Sequence, residues 1–210
     1  MKGIIFSTHM AQAIQQGRKT QTRRVVKQIR TNDNGNVDFD FKNHSGRNIP
    51  KEDINSALVG LVDNAPYKVG DVLYVKETYQ HTEVLNIHPT DDNYGYVYKA
   101  DNQPWEDFEG WKWKSPMFMP EKAARLFIVI TGIKVERLQD ISEEDAIAEG
   151  VERIADYGST GYKLYTEPDA AHSDIDAVWS FESLWQSING EKSWNANPWV
   201  WAYTFEIYQP

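Results

Sequence analysis

Strand and helix signals follow one another along this chain in an order that contains no repeated βαβ unit, and that order limits the fold more than any single motif. Gly3 to Ser7 reads as a short strand. Thr8 caps a helix running through Gln16, with Met10, Ala11 and Ile14 on one face. Gly17 stands where a helix stops, because glycine tolerates the left-handed conformation there. Tyr67 to Tyr79 holds the clearest strand, Val72 to Glu77, entered through a turn at Gly70-Asp71. Tyr94 to Tyr98 is a shorter strand, and Arg125 to Leu138 a long β-branched one interrupted at Gly132. Asp140 to Gly150 predicts a short helix, capped by Ser142 and ended by Gly150. Ile175 to Ile188 repeats Val178, Phe181, Leu184, Trp185 and Ile188 at helical spacing. Trp199 to Ile207 alternates as a final strand. The expectation is an α+β fold: a small, mostly antiparallel β-barrel decorated by helices.

Between these elements lie segments of a different character. Residues 31 to 66 are polar and rich in Asn, Asp and Gly, as in a long loop or insertion. Trp105 to Pro120 interleaves Trp105, Phe108, Trp111, Trp113 and Phe118 with Pro116 and Pro120, which rule out a regular central strand or helix.

Composition removes several classes of function. The chain has no cysteine, which excludes disulfides, thiolate metal sites and cysteine nucleophiles and fits a reducing compartment. No apolar run approaches the roughly 20 residues of a membrane span. The patch Met1 to Phe6 is too short for a signal peptide, so the expected location is the cytoplasm. A formal net charge of -9 argues against broad binding to duplex DNA, which requires many cations facing phosphates. The five histidines fall at no ligand spacing, so neither a metal nor a cofactor is expected. No Gly-rich phosphate loop occurs, and Ser115 and Ser142 lie in no nucleophile elbow.

Against this acidic background, Gly17 to Arg24 gathers Arg18, Lys19, Thr20, Thr22, Arg23 and Arg24. Neighbouring cations and burial both disfavour an ammonium, so Lys19 is the first candidate for a base or nucleophile. Thr22 is a candidate hydroxyl beside it, though threonine is also simply β-prone. Glu149 is the second candidate, because a carboxylate in the last turn of a helix faces the negative end of its dipole. Arg18, Arg23 and Arg24 are candidate phosphate contacts, and Trp111 and Trp113, set among charges, are candidate platforms for a base. A solvated basic turn, a screened glutamate and core tryptophans are the plain alternatives.

Gly17, Lys19 and Arg24 stand in the G-x-K-x-x-x-x-R spacing of the ASCH domains, a PUA-like barrel family, and the chain resembles that family at further points. Val69 to Val75 resembles its second-strand signature, and Asp140 to Gly150 its short helix. Trp113 to Pro120 and Trp194 to Trp199 resemble longer, phage-associated members. The resemblance implies a single domain over residues 1–210, with insertions at about 31–66, 80–113 and 152–174. Small bacterial members include N4-acetylcytidine amidohydrolases, whose Gly-Arg-Lys-Thr-x-Thr-x-Arg segment is reproduced from Gly17 to Arg24. Their catalytic lysine, threonine and glutamate fall on Lys19, Thr22 and Glu149. Three readings follow: an amidohydrolase acting on an acylated nucleoside or nucleobase, a non-catalytic module for RNA or a modified base, and a single-strand ribonuclease. The partner expected is a modified nucleoside or single-stranded RNA.

Overall fold

The computed structural model describes residues 1–27, 29–31, 37–39, 60–81, 95–102, 111–156, 159–167 and 175–209. Its centre is a five-stranded sheet built from β1 (Lys2–Ile5), β2 (Gln21–Val25), β5 (Val72–Lys76), β8 (Phe127–Arg137) and β11 (Trp199–Tyr208). The order is β1-β5-β8-β11-β2, with β1 parallel to β5 and the remaining pairs antiparallel. Three hairpins flank it: β3 (Ile29–Thr31) with β4 (Val37–Phe39), β6 (Tyr79–His81) with β7 (Tyr96–Tyr98), and β9 (Arg153–Asp156) with β10 (Ser159–Tyr162). The helices that bear on the site are α1 (Thr8–Gln15), α2 (Glu143–Ala148) and α3 (Ala177–Asn189).

The expected α+β class holds, with a mostly antiparallel sheet, but the closed barrel does not. Among the described residues, β1 and β2 end the strand order and share no ladder. The chain passes from one edge to the other through α1, and Arg24 reaches across the gap, its Nη2 donating to the Ile5 carbonyl at 2.6 Å. Cavities open where a closing ladder would lie.

Several local expectations are refined. Ser7, not Thr8, occupies the cap position of α1, and its side chain makes no capping bond. Gly17 takes φ +70°, and the end of α1 is tied off by Arg18 and Lys19 amides donating to the Ala13 carbonyl at 2.9 and 3.1 Å. Gly132 does not interrupt β8, which runs unbroken. It sits instead at a register shift, pairing with Thr204 while Ile130 pairs with Phe205. Ser142 caps α2 by accepting from the Asp145 amide at 3.2 Å. Asp176 does the same for α3, accepting from the Trp179 amide at 2.7 Å. The core lies between the sheet and α1 and α3, where Ile4, Ile14, Leu73, Ile128, Tyr203 and Phe181 are buried together. No described helix is long and apolar enough to cross a membrane.

Candidate active site

Three elements, α1, α2 and β11, converge on the segment that holds Lys19. Its amide is held by the end of α1, as above. The next amide, Thr20, donates to the Ala148 carbonyl at 2.8 Å, joining the segment to the end of α2. The Thr20 carbonyl accepts from the Phe205 amide of β11 at 2.9 Å. Backbone bonds therefore fix Lys19 before its side chain makes any contact. Gly150, at φ +89°, completes the junction: a Cβ there would meet Lys19 Cβ at 2.8 Å and Ala13 Cβ at 3.1 Å. Only glycine lets α2 approach so closely.

The Lys19 ammonium is buried and donates to Glu149 Oε2 and to the Glu149 carbonyl, both at 2.7 Å. Glu149 follows directly on α2, and the unfavourable dipole end noted in the sequence is answered by cations. Besides Lys19, Arg18 Nη1 donates to the Gly150 carbonyl at 2.8 Å. Burial pushes the Lys19 pKa down, Glu149 opposes this, and the cations Arg24 and Arg23 add to the depression.

Arg23 is the hub behind this pair. Its side chain is fully buried and reaches three carboxylates: Glu136 Oε1 from Nη2 at 2.7 Å, Asp145 Oδ2 from Nη2 at 2.8 Å and Glu149 Oε1 from Nη1 at 3.1 Å. Burial works against its charge, but Glu149, Glu136 and Asp145 outweigh it and raise its pKa. Glu149 is thus held on both oxygens, by Lys19 on one and Arg23 on the other. The guanidinium that bonds Glu149 is that of Arg23; Arg24 donates instead to the Ile5 carbonyl.

Lys19, Thr22, Arg23, Arg24 and Glu149 all line one cavity of about 470 Å³, within the range of small-molecule sites. Thr22 is buried and lies on a strand, opposite Tyr203 of β11, so a shared strand edge rather than a helical turn brings it to the cavity of Lys19. The aromatic walls are Phe6, Phe181 and Trp185. Arg24 lies over the Phe6 ring at 5.2 Å and Lys19 Nζ approaches it at 5.7 Å. The buried Trp185 indole N–H has no hydrogen-bond partner among the described residues. Trp111 and Trp113 are not part of this lining; they pack edge-to-face on each other with centroids 5.1 Å apart. Arg18 is also absent from the lining.

The sequence reading therefore missed Arg23 as hub, its partners Glu136 and Asp145, and the aromatic walls. Glu136 carried a signal, as a carboxylate in a β-branched run. Phe181 and Trp185 were read only as residues recurring at helical spacing; both are also part of the core.

Among the described residues, no group of acidic or histidine side chains is arranged to hold a metal ion. Compared with protein-family models, with curated proteins and with solved structures, the chain matches none. Function is therefore argued from the geometry.

Proposed function

We propose that the protein is an amidohydrolase of the ASCH type that removes an acyl group from a modified nucleobase or nucleoside of the N4-acetylcytidine kind. One observation carries this reading above the others: a buried lysine with a lowered pKa shares a carboxylate with an arginine in the lining of an aromatic-walled cavity of about 470 Å³. Perturbed titratable groups in a pocket are the usual mark of acid–base chemistry. The two sheet edges facing each other across this cavity support an opened form of the PUA-like barrel.

In this mechanism Lys19 takes the proton from the Thr22 hydroxyl or from a water, and that oxygen adds to the acyl carbonyl. Because Arg23 also holds Glu149, through its other oxygen, Glu149 stays oriented when Lys19 is uncharged. Glu149 then relays the proton gained by Lys19, to which it is hydrogen-bonded, onto the departing amine nitrogen, and the carbon–nitrogen bond breaks. If Thr22 attacks, a water releases the acyl group from it in a second step. Products balance as amine and carboxylic acid, with one water consumed. Arg24 and the Trp185 N–H are donors for the acyl or base carbonyl. Phe181 and Trp185 offer faces for the base.

The aromatic walls also favour a second reading, a module that holds a modified base without turning it over. Turnover separates the two. Wild-type protein is expected to convert N4-acetylcytidine to cytidine, and Glu149→Gln to lose at least about a hundredfold in rate. Thr22→Val distinguishes a threonine nucleophile, whose removal abolishes turnover, from an attacking water. Wild-type binding without conversion would leave the module reading standing.

A further inference from the structure

A second cavity of about 300 Å³ opens between β1 and β2, and it shares Ile5, Arg24 and Val25 with the first. Arg24 is thus a common wall, spanning the gap between the sheet edges. Its one hydrogen bond goes to the Ile5 carbonyl, and among the described residues it forms no ion pair with a carboxylate. Lys27, which also lines the second cavity, is exposed and has no ion pair among them either.

The chemistry of this recess suits an anion. Tyr203 contributes to its wall and is fully buried, yet among the described residues its hydroxyl makes no well-formed hydrogen bond; the Tyr67 backbone interacts with it without the geometry of one. Buried hydroxyls almost always find a partner, so an orphan beside a cavity points to a ligand group. Glu149, Tyr67 and Tyr203 all lie within electrostatic reach of the Arg24 guanidinium, Glu149 without forming an ion pair with it. With one nitrogen of its fork committed to Ile5, Arg24 keeps other N–H groups for an anion, the geometry that suits phosphate oxygens.

We propose that this second cavity is a phosphate subsite, so that the ligand of the Lys19 cavity is a phosphorylated nucleoside rather than a free one. This rests on the reading of the first cavity as a nucleoside pocket. The phosphate belongs either to a mononucleotide or to a unit of an RNA strand. A base between the aromatic walls places its sugar toward Arg24, and the phosphate passes beyond it to Lys27 and the Tyr203 hydroxyl.

The test is calorimetric binding of cytidine, cytidine 5′-monophosphate, cytidine 3′-monophosphate and a short oligocytidylate. Wild type, Lys27→Ala and Tyr203→Phe are compared, with turnover of N4-acetylcytidine measured separately. One nucleotide is expected to bind wild type about tenfold more tightly than cytidine, the value of one hydrogen bond to a charged group. That preference is expected to shrink to about threefold or less in each variant. Tyr203→Phe removes a hydroxyl with no well-formed hydrogen bond among the described residues, so its thermal midpoint should stay close to that of wild type, separating a binding effect from misfolding. The oligomer binding more tightly than either mononucleotide assigns the phosphate to a strand; the reverse assigns it to a free nucleotide. Equal binding of nucleoside and nucleotides by wild type, no binding of any, or a preference that survives both substitutions overturns the proposal. Turnover without phosphate preference refutes the subsite alone, and phosphate preference without turnover refutes the hydrolase alone.

Discussion

Lys19 concentrates the chemical argument at the scale of one residue. An ammonium with almost no exposure is tolerated only because Glu149 meets it at 2.7 Å, and burial still draws its pKa below the ordinary 10.5. The consequence for stability has a definite sign. Between the lowered value and 10.5 the unfolded chain holds more protons than the folded one, so this group's contribution to stability rises with pH. Below that window the buried charge weighs fully against folding; above it the contribution no longer changes. Denaturant titrations of wild type and Lys19→Met across alkaline pH should show the wild type gaining on the variant as pH climbs toward 10.5. A flat or falling difference would count against a depressed lysine. Sequence alone made Lys19 and Glu149 legible as candidates, but 130 positions separate them and no local signal pairs them. Nor could it tell Arg23 from Arg24. Successive strand residues point to opposite faces, and only the pairing of β2 with β11 shows which one reaches the three carboxylates.

At the scale of elements, the site depends on how tightly α2 docks against the end of α1. Gly150 was readable as a helix stop, and its φ of +89° bears that out. Its second role, leaving room for Lys19, follows only from tertiary contact. Gly150→Ala meets both a strained backbone and a methyl overlapping Lys19, so it should destabilise the fold by about 1–3 kcal/mol. Equilibrium urea unfolding checks this. A loss under about half a kcal/mol would show that the junction yields easily. The expected barrel failed for an element-scale reason too. Closure depends on β1 meeting β2, and among the described residues these two strands remain the unjoined edges of the sheet.

At the scale of the whole molecule, a second buried ion pair couples the β6–β7 hairpin to the central sheet. Glu77, fully buried at the end of β5, receives Arg125 on both oxygens at 2.9 Å. The same guanidinium lies 3.8 Å from the Tyr98 ring centroid and pairs with Asp101 at 2.7 Å. Removing one partner of such a pair strands a buried charge, so Arg125→Met should cost about 3–5 kcal/mol by thermal or urea unfolding. Adding Glu77→Gln should recover part of that loss; no recovery would mean the pair is not what fails. Alternation and caps made most strands and helices of this architecture readable. The gap between the sheet edges, and hence the location of the cavities, emerges only when all five strands are assembled.

The measurement that bears most directly on the central claim reads binding and turnover in the same samples, for wild type and Lys19→Ala. Cytidine binding is followed by calorimetry, and conversion of N4-acetylcytidine by chromatography. Lys19→Ala should bind cytidine within about threefold of wild type while its turnover falls at least about a hundredfold, the mark of a group that acts on the reaction more than on the bound state. Equal turnover by the two proteins, or none by either, would contradict catalysis by the buried lysine.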